Sequence, residues 1–419
     1  MNRSRYPSGT SGHASTSLRT PNPRWEKAES AARVVAIAGF PLSLHSAGAT
    51  ISLALTALFG LALLLRDRDF PRDLSAVHYK LLPLYMLIVA VELINGGSWF
   101  SLASTAFNYL PLLALAPYAY ALRKLDLRAG EFDRAIWATV ALGATISIAI
   151  AILLGDRRPG GPDMDALSYG YVLAVWLFFV FSSALENRET SIPLLVLSAV
   201  CVAVLLYAKT KIVVFCVIAG FLLIGVIWAM QRGRWRTLFL GIALSIVPFA
   251  LAVYYLVWPR ALEFVYALQL YVEKGIVVSD ESFALRLEQI IAGYKSALER
   301  PILGHGLAET GDAIYRNLTS GADYRRLIIH NDYIVHMVAF GVFGLIFLLG
   351  YFAAAFLIVH RARDAAHRRA GLALVATMPF FMATYIVFNM SPMSGLVALA
   401  MGVVLATPPE PAREQALSA

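Results

Sequence analysis

The chain has 419 residues, of which 59% are hydrophobic and only 15% are charged, and its mean hydropathy is +0.66. Soluble domains carry about 45–50% apolar and about 25% charged residues, so this composition excludes a soluble globular protein and indicates an integral membrane protein. The net charge of +8 would suit nucleic-acid binding in a soluble protein, but here it indicates basic cytoplasmic loops. The apolar runs lack period-two alternation, so we predict an all-α membrane protein.

Taken in chain order, the sequence predicts a flexible tail, about twelve membrane-spanning helices, with eleven or thirteen as the alternatives, and one long loop. Residues 1–28 are rich in Ser, Thr, Pro and Arg, a composition that cannot bury a core, so we predict a disordered tail. Spanning a bilayer takes about 20 apolar residues. Apolar runs near that length lie at about 31–46, 48–65, 80–96, 104–122, 135–154, 169–185, 190–208, 211–230, 236–257, 332–359, 370–388 and 392–407. The predicted organisation is a tail at 1–28, helices 1–9 within 29–257, a loop at 258–330, helices 10–12 within 331–408 and a tail at 409–419.

The distribution of basic residues predicts the orientation of these helices. With the N-terminus in the cytoplasm, most of the 35 Lys and Arg residues fall in connections on the cytoplasmic side. Short connections on the other side, such as 95–98 and 389–391, carry none. Because cytoplasmic loops are enriched in Lys and Arg, we predict that both termini are cytoplasmic and that the loop at 258–330 lies on the opposite face.

The long loop carries a helical pattern, so we expect it to be folded. Apolar residues recur there at helical spacing and form one stripe. The stripe consists of Phe283, Leu287, Ile290, Ile291, Tyr294 and Leu298. Asp280 or Ser282 can cap the start of this helix, and Pro301 is expected to end it.

Two short motifs close the loop. In Pro301–Gly306, glycines flank His305 and permit a sharp turn and a close approach to a ligand. His330–Tyr333 stands at the membrane boundary, where ionisable groups are costly unless they face water, a partner or a substrate. Asp332 and His336 are one helical turn apart and can pair. Glycines in the apolar run that follows predict close helix packing.

These motifs resemble the pattern of the O-antigen ligase superfamily, which includes O-antigen ligases and polysaccharide polymerases of bacterial envelopes. The family pattern is an Arg before a helix, then Pro-x-x-Gly-x-Gly, then His-Asn-x-x-Leu before a glycine-containing span. Here the corresponding residues are Arg286, Pro301–Gly306 and His330–Tyr333, while Ile334 departs from the family's Leu. The resemblance extends over residues 209–344.

The resemblance implies a glycosyltransferase in the bacterial inner membrane. Its donor would be a glycan on undecaprenyl diphosphate at the periplasmic face, and the predicted loop at 258–330 would lie there. An acceptor hydroxyl would attack the anomeric carbon and the lipid diphosphate would leave. The acceptor would be the lipid A core in a ligase, or another lipid-linked glycan in a polymerase.

This reaction, together with the resemblance, selects the first candidate site residues. A leaving diphosphate needs cations at the lipid–water boundary, and the candidates are Arg286, Lys211 and Lys209. Lys211 stands where the family has an Arg, and its ammonium group is a point charge that lacks the planar fork of a guanidinium. The acceptor hydroxyl needs a base, and His330 is the catalytic candidate.

Other polar residues of the motifs are candidates for binding or orientation. Asn331, Asp332 and His305 are predicted to contact the glycan or to orient the catalytic imidazole. The histidines at 305, 330 and 336 together with Asp332 match no standard metal-ligand spacing, so we expect neither a metal nor a cofactor. The expected partners are the lipid-linked donor, the acceptor and the surrounding membrane lipids, with no nucleic acid.

Two other functional classes remain as alternatives at this stage. A polysaccharide transporter or flippase predicts ionisable residues deep within the spans, and the main candidates are Glu92 and His336. A non-catalytic scaffold of envelope assembly leaves the arrangement of Arg286 and His330 unexplained. Cys201 and Cys216 lie in apolar runs and are expected to be small buried residues.

Overall fold

The computed structural model describes most of the two helical regions and part of the segment between them. The described residues are 23–67, 70–96, 98–125, 127, 129–155, 160–161, 163–186, 190–208, 210–236, 281–318, 331–362, 364–383, 387–388 and 391–406, with single positions between 239 and 273. Every regular element within these ranges is an α-helix. The helices are α1 (Pro23–Leu42), α2 (Gly48–Asp67), α3 (Arg72–Ile94), α4 (Trp99–Lys124), α5 (Ala129–Leu154), α6 (Ala166–Glu186), α7 (Ser191–Tyr207), α8 (Lys211–Arg232), α9 (Glu281–Glu299), α10 (Thr310–Arg316), α11 (Asp332–His360), α12 (Ala365–Met382) and α13 (Ser391–Ala406).

Seven of the described helices are long and apolar enough to cross a membrane, namely α2, α3, α4, α5, α6, α8 and α11. The chain is therefore an all-helical, multi-pass membrane protein. The predicted span at 236–257 falls largely outside the described residues. Helix α1 begins at Pro23, so the end of the predicted tail at 1–28 is helical, and residues 1–22 lie outside the described part. Pro41 lies one residue before the end of α1, where it does not interrupt the helix.

Helix α6 is the centre of the bundle. It packs against α5, α7, α8 and α12, and 83% of its membrane-spanning segment is buried. Its Trp176 ring packs edge-to-face on Phe40 at 5.2 Å, and its indole N–H donates to Ser43 Oγ at 2.9 Å. Lipid can cover an apolar helix as well as other helices can, so the contacts with its neighbours, not its apolar composition alone, define this central position.

Buried ion pairs join the helices at one end of the bundle. Arg369 at the start of α12 is fully buried, and it donates to Glu186 Oε1 at 2.6 Å and to Gln231 Oε1 at 2.7 Å. His367 lies 3.3 Å from an Asp133 carboxylate oxygen. Burial lowers the pKa of the His367 imidazole, but the hydrogen bond to Asp133 and the charges of two nearby carboxylates raise it more, so this pKa lies above its ordinary value.

Helix α9 forms where the sequence predicts a helix, but much of the described part of its apolar stripe is exposed, although Leu287 near its start is buried. It ends at Glu299, just before Pro301, as expected. Ile290, Tyr294 and Leu298 are 38%, 54% and 59% exposed, whereas small and polar side chains of α9 are buried. The reason is close packing against α11, because a Cβ at Gly293 would overlap the Ile334 side chain. Only a glycine fits at position 293, and the larger apolar residues at 290, 294 and 298 lie on the more exposed side of the helix.

Candidate functional site

The candidate site is built around a break in α11. Gly341 has φ +57° and ψ −138°, a combination that is essentially restricted to glycine, in the middle of a helix that otherwise runs from Asp332 to His360. A side chain here would overlap the Ile302 carbonyl and lie 2.6 Å from the Pro301 carbonyl oxygen. We predicted close packing of neighbouring helices at the glycines of this span. At Gly341 it is the Pro301–Gly306 loop that approaches.

The loop replaces the hydrogen bonds that the break removes. In a continuous helix the amide of Val342 would donate to the carbonyl of Val338. Instead it donates to the Pro301 carbonyl at 2.8 Å, and the freed Val338 carbonyl accepts from the amide of His305 at 2.8 Å. The amide of Gly306 donates to the Ala339 carbonyl at 2.9 Å. Three backbone hydrogen bonds therefore fix the loop to α11 without using a side chain.

Two glycines of the loop are required by its geometry. Gly304 and Gly306 have φ values of +73° and +85°, in the region that favours glycine. A Cβ on Gly304 would overlap the Ala339 carbonyl and lie 2.6 Å from the Phe340 nitrogen. The family spacing Pro-x-x-Gly-x-Gly thus has a physical basis in this chain, since both the turn and the close approach to α11 depend on it.

Helix α3 holds the other side of the loop. Glu92 is 1% exposed, and one of its carboxylate oxygens accepts from the amide of Leu307 at 2.8 Å. Its other oxygen accepts from the Ser101 hydroxyl. The side-chain amide of Asn95 donates to the Leu303 carbonyl at 2.9 Å. A buried carboxylate is costly unless hydrogen bonds compensate it, and here the loop provides part of that compensation.

The start of α11 is anchored by the two residues that follow His330. The Asn331 side chain caps the helix by accepting from the amide of Ile334 at 3.0 Å, and it donates to the Ala383 carbonyl at 3.1 Å. Asp332 is fully buried, and its Oδ2 accepts from the amides of residues 387 and 388, each at 3.0 Å. Asn331 and Asp332 are therefore fixed by backbone contacts from the segment between α12 and α13.

Asp332 and His336 lie together, as their spacing predicts, and His336 extends the network to α4. His336 Nδ1 lies 2.7 Å from the Asp332 backbone carbonyl and 3.3 Å from its Oδ1. Because a carbonyl only accepts, Nδ1 carries a proton, and Nε2 lies at hydrogen-bond distance, 2.8 Å, from the Tyr109 hydroxyl oxygen. The ring stacks on Phe347 and is fully buried. His336 is therefore held in one orientation inside the bundle.

His305 is also held in one orientation. Its Nε2 lies 2.9 Å from the Ser296 carbonyl, which only accepts, so Nε2 carries the proton. The ring is 4% exposed, and within the described residues its Nδ1 has no hydrogen-bond partner. Glu299 Oε2 lies 3.7 Å from Nε2. The Ser296 carbonyl therefore fixes the orientation of the one imidazole in the Pro301–Gly306 loop.

The structure describes only some of the predicted diphosphate-binding cations and does not describe the predicted catalytic base. Lys209 and His330 lie outside the described residues. Arg286 belongs to α9, which packs against α11, but its side chain is outside the described part.

Lys211 begins α8 and lies at the same end of the bundle as Asn331. One turn further along α8, the Phe215 ring packs against the Phe380 ring of α12, with 5.5 Å between the ring centroids. One turn beyond Phe380 is Ala383, whose carbonyl accepts from Asn331. The structure therefore places Lys211 at the level of the α11 start, and His330 precedes that start directly in the chain.

Two residues of this network were not predicted as parts of the site. Glu92 was a candidate only for a transporter, although a single carboxylate in an apolar run already indicates a buried partner. Nothing in the sequence around Tyr109 distinguishes it from a core aromatic. Its hydrogen bond to His336 joins residues that are 227 positions apart, so only the folded chain shows it.

Comparison with known proteins identifies the part of the chain that carries these features. The family model described as O-antigen ligase matches residues 194–349. This range includes most of α7, all of α8, α9 and α10, the Pro301–Gly306 loop and the part of α11 that contains the break. No curated protein matches the chain. The match confirms the resemblance found in the motifs, and the chain carries the domain of the O-antigen ligase superfamily at residues 194–349.

Proposed function

We propose that this protein transfers a glycan from undecaprenyl diphosphate to a hydroxyl of the lipid A core at the periplasmic face of the bacterial inner membrane. The observation that carries the proposal is the fixed assembly of both family motifs at one end of the bundle. There the Pro301–Gly306 loop fills the break in α11, and Asn331 and Asp332 anchor the start of the same helix. The match at residues 194–349 supports the reaction class.

In the proposed reaction the acceptor oxygen forms a bond to the anomeric carbon of the donor sugar. The bond from that carbon to the diphosphate oxygen breaks, and the electron pair leaves with undecaprenyl diphosphate. His330 accepts the proton of the attacking hydroxyl, which raises the nucleophilicity of the oxygen. Arg286, Lys211 and Lys209 stabilise the negative charge of the leaving diphosphate, which is greatest in the transition state.

The described network explains why such a site would be rigid. General acid–base and phosphate-binding groups act best when their supports hold them in place. His330 is adjacent to Asn331, whose side chain bridges Ile334 and Ala383. Asn331, Asp332 and His305 are proposed to bind the glycan or to orient the catalytic imidazole.

The positions of the buried ionisable groups support an enzyme over a transporter. Glu92 lies two residues from the end of α3, and Asp332 and His336 lie in the first turns of α11. Each is engaged by hydrogen bonds to the loop, to the segment after α12, or to Tyr109. A transport pathway places such groups near the midplane of the bilayer.

A reconstituted assay tests the proposal and separates it from polymerase activity. The full chain is purified into liposomes that contain an undecaprenyl-diphosphate glycan, and either lipid A core or a second lipid-linked glycan is offered as acceptor. We expect glycan on the lipid A core together with release of undecaprenyl diphosphate. Product only on the lipid-linked acceptor would replace the ligase with a polymerase. Movement of the donor between leaflets without release of undecaprenyl diphosphate would contradict the enzyme proposal.

A further inference from the structure

A basic cavity lies at the end of the bundle opposite the candidate site. Helices α3 and α11 run antiparallel, so the start of α3 and the end of α11 meet far from Glu92 and Asp332. Between them, and beside the ends of α4 and α13, is a cavity of about 80 Å³. Lys80, Arg123 and Arg361 line it, and Asp73 is the one acidic residue among the described residues of the lining.

We propose that this cavity binds a phosphate group, whose sources at a membrane surface are the headgroup of an anionic phospholipid and free phosphate. The volume suits the ligand, because one water molecule needs about 10–15 Å³ of such space and the cavity has room for several oxygen atoms. The site is independent of glycan transfer, since none of its residues belongs to the candidate site.

One cation of the cavity is held in place by the protein. The Arg123 guanidinium donates from Nε and Nη2 to the Leu405 carbonyl at 3.1 and 2.7 Å, and Nη2 also donates to Asp73 Oδ2 at 2.7 Å. Its Nη1 makes no hydrogen bond to any atom of the described residues. A fixed guanidinium with free donors is a phosphate-binding group that loses little entropy on binding.

The other two cations lack compensating charge among the residues that the structure describes. Asp73 pairs with Arg123, so it does not neutralise Lys80 or Arg361. Neither of these two side chains has an ion-pair partner within the part of the chain that the structure describes. Two uncompensated cations on one cavity attract an anion, and juxtamembrane cations interact favourably with anionic lipids.

The surroundings of the cavity favour a lipid as the source. Val77 and Ile358 contribute apolar surface to the lining. On either side of it, Tyr79 and Leu357 are 70% and 41% exposed on helices that cross the membrane. Tyrosine is enriched where a helix leaves the hydrocarbon for the headgroup region. A phosphate bound here can therefore remain attached to acyl chains in the bilayer.

The test measures phospholipid binding to the full-length protein in detergent by native mass spectrometry. The probes are phosphatidylglycerol and phosphatidylcholine, and inorganic phosphate is titrated separately by calorimetry. The test variant is the double substitution Lys80→Gln and Arg361→Gln. The control is Lys27→Gln with Arg234→Gln, which removes equal charge at the same end of the bundle but outside the cavity lining.

We expect wild type to prefer phosphatidylglycerol over phosphatidylcholine. The test variant should lose roughly tenfold or more of its phosphatidylglycerol affinity, while the control stays within about twofold of wild type. Inorganic phosphate that binds wild type but not the test variant, without a preference for phosphatidylglycerol, would identify free phosphate as the source. Equal affinity of the test variant and wild type for both probes would overturn the proposal, and Arg361→Glu provides a second variant if the double substitution fails to fold.

Discussion

Replacing Gly341 with Ala should detach the Pro301–Gly306 loop from α11. The glycine adopts φ +57° and ψ −138°, and holding an alanine in such a conformation costs about 1–3 kcal/mol. The new methyl group would also overlap the Ile302 carbonyl, so the loop must move away. That movement weakens three backbone hydrogen bonds, each of which contributes about 0.5–1.5 kcal/mol. If all three bonds are lost, the total is about 2.5–7.5 kcal/mol of local stability.

Hydrogen exchange measures this loss directly, because two of the three bonds are donated by the amides of His305 and Gly306. A loss of about 1.4 kcal/mol raises the equilibrium constant for local opening tenfold. Even the lower end of the range of lost stability therefore predicts exchange on the order of a hundredfold faster for those two amides. The measurement uses wild type and Gly341→Ala in the same detergent, with mass spectrometry of the peptides that contain the loop.

A matched control separates this effect from a general cost of adding a methyl group. Gly311 lies in α10, near the same loop, and a Cβ there would meet nothing within 4 Å. Gly311→Ala should leave the protection of the loop amides unchanged, because the added methyl group meets no neighbouring atom and alanine suits a helix better than glycine does. Unchanged exchange of His305 and Gly306 in Gly341→Ala would refute the interpretation that the glycine break holds the loop.

Four further predictions concern the buried network, the proposed diphosphate contact of Arg286, the ion-pair end of the bundle and metal dependence. Tyr109→Phe should lower the free energy of unfolding by about 1–3 kcal/mol in denaturant titrations, because it leaves the buried His336 Nε2 without its hydrogen-bond partner; wild-type stability would show that this bond contributes nothing. Arg286→Lys should reduce glycan transfer markedly if a planar fork holds the diphosphate, and wild-type turnover would argue for a packing role. His367 has a raised pKa in the folded protein, so its contribution to stability is complete below its ordinary pKa and is lost as pH rises through the raised value; His367→Gln should remove that part of the pH dependence, and an unchanged profile would contradict it. Adding a chelator should leave transfer unchanged, and inhibition that one divalent metal reverses would contradict metal-free chemistry.

Local sequence patterns predicted where helices form better than they predicted which side of a helix is buried. The spacing from Phe283 to Leu298 and the position of Pro301 predicted α9 and its end, because helix formation and termination are local properties. The same stripe did not predict which face is buried. That choice depends on the close contact between Gly293 and Ile334, which lie far apart in the chain.

The candidate site was predicted only where its residues form a continuous motif. The glycines of Pro301–Gly306 indicated a close backbone approach, and the structure shows that the partner is α11. The break at Gly341 could not be predicted, since a glycine inside an apolar helix equally indicates close packing between helices. The contribution of Glu92 depends on contact with Leu307, 215 residues away, and no local pattern encodes such a contact.

The most direct test of the account is the release of undecaprenyl diphosphate in a single turnover by His330→Ala. Because a positioned general base contributes about 10²–10⁴-fold to the rate, the variant should release the lipid diphosphate at least about a hundredfold more slowly than wild type. His360→Ala, at the opposite end of α11, should react at the wild-type rate. Wild-type release by a folded His330→Ala protein would contradict the proposal that this end of the bundle carries out glycan transfer.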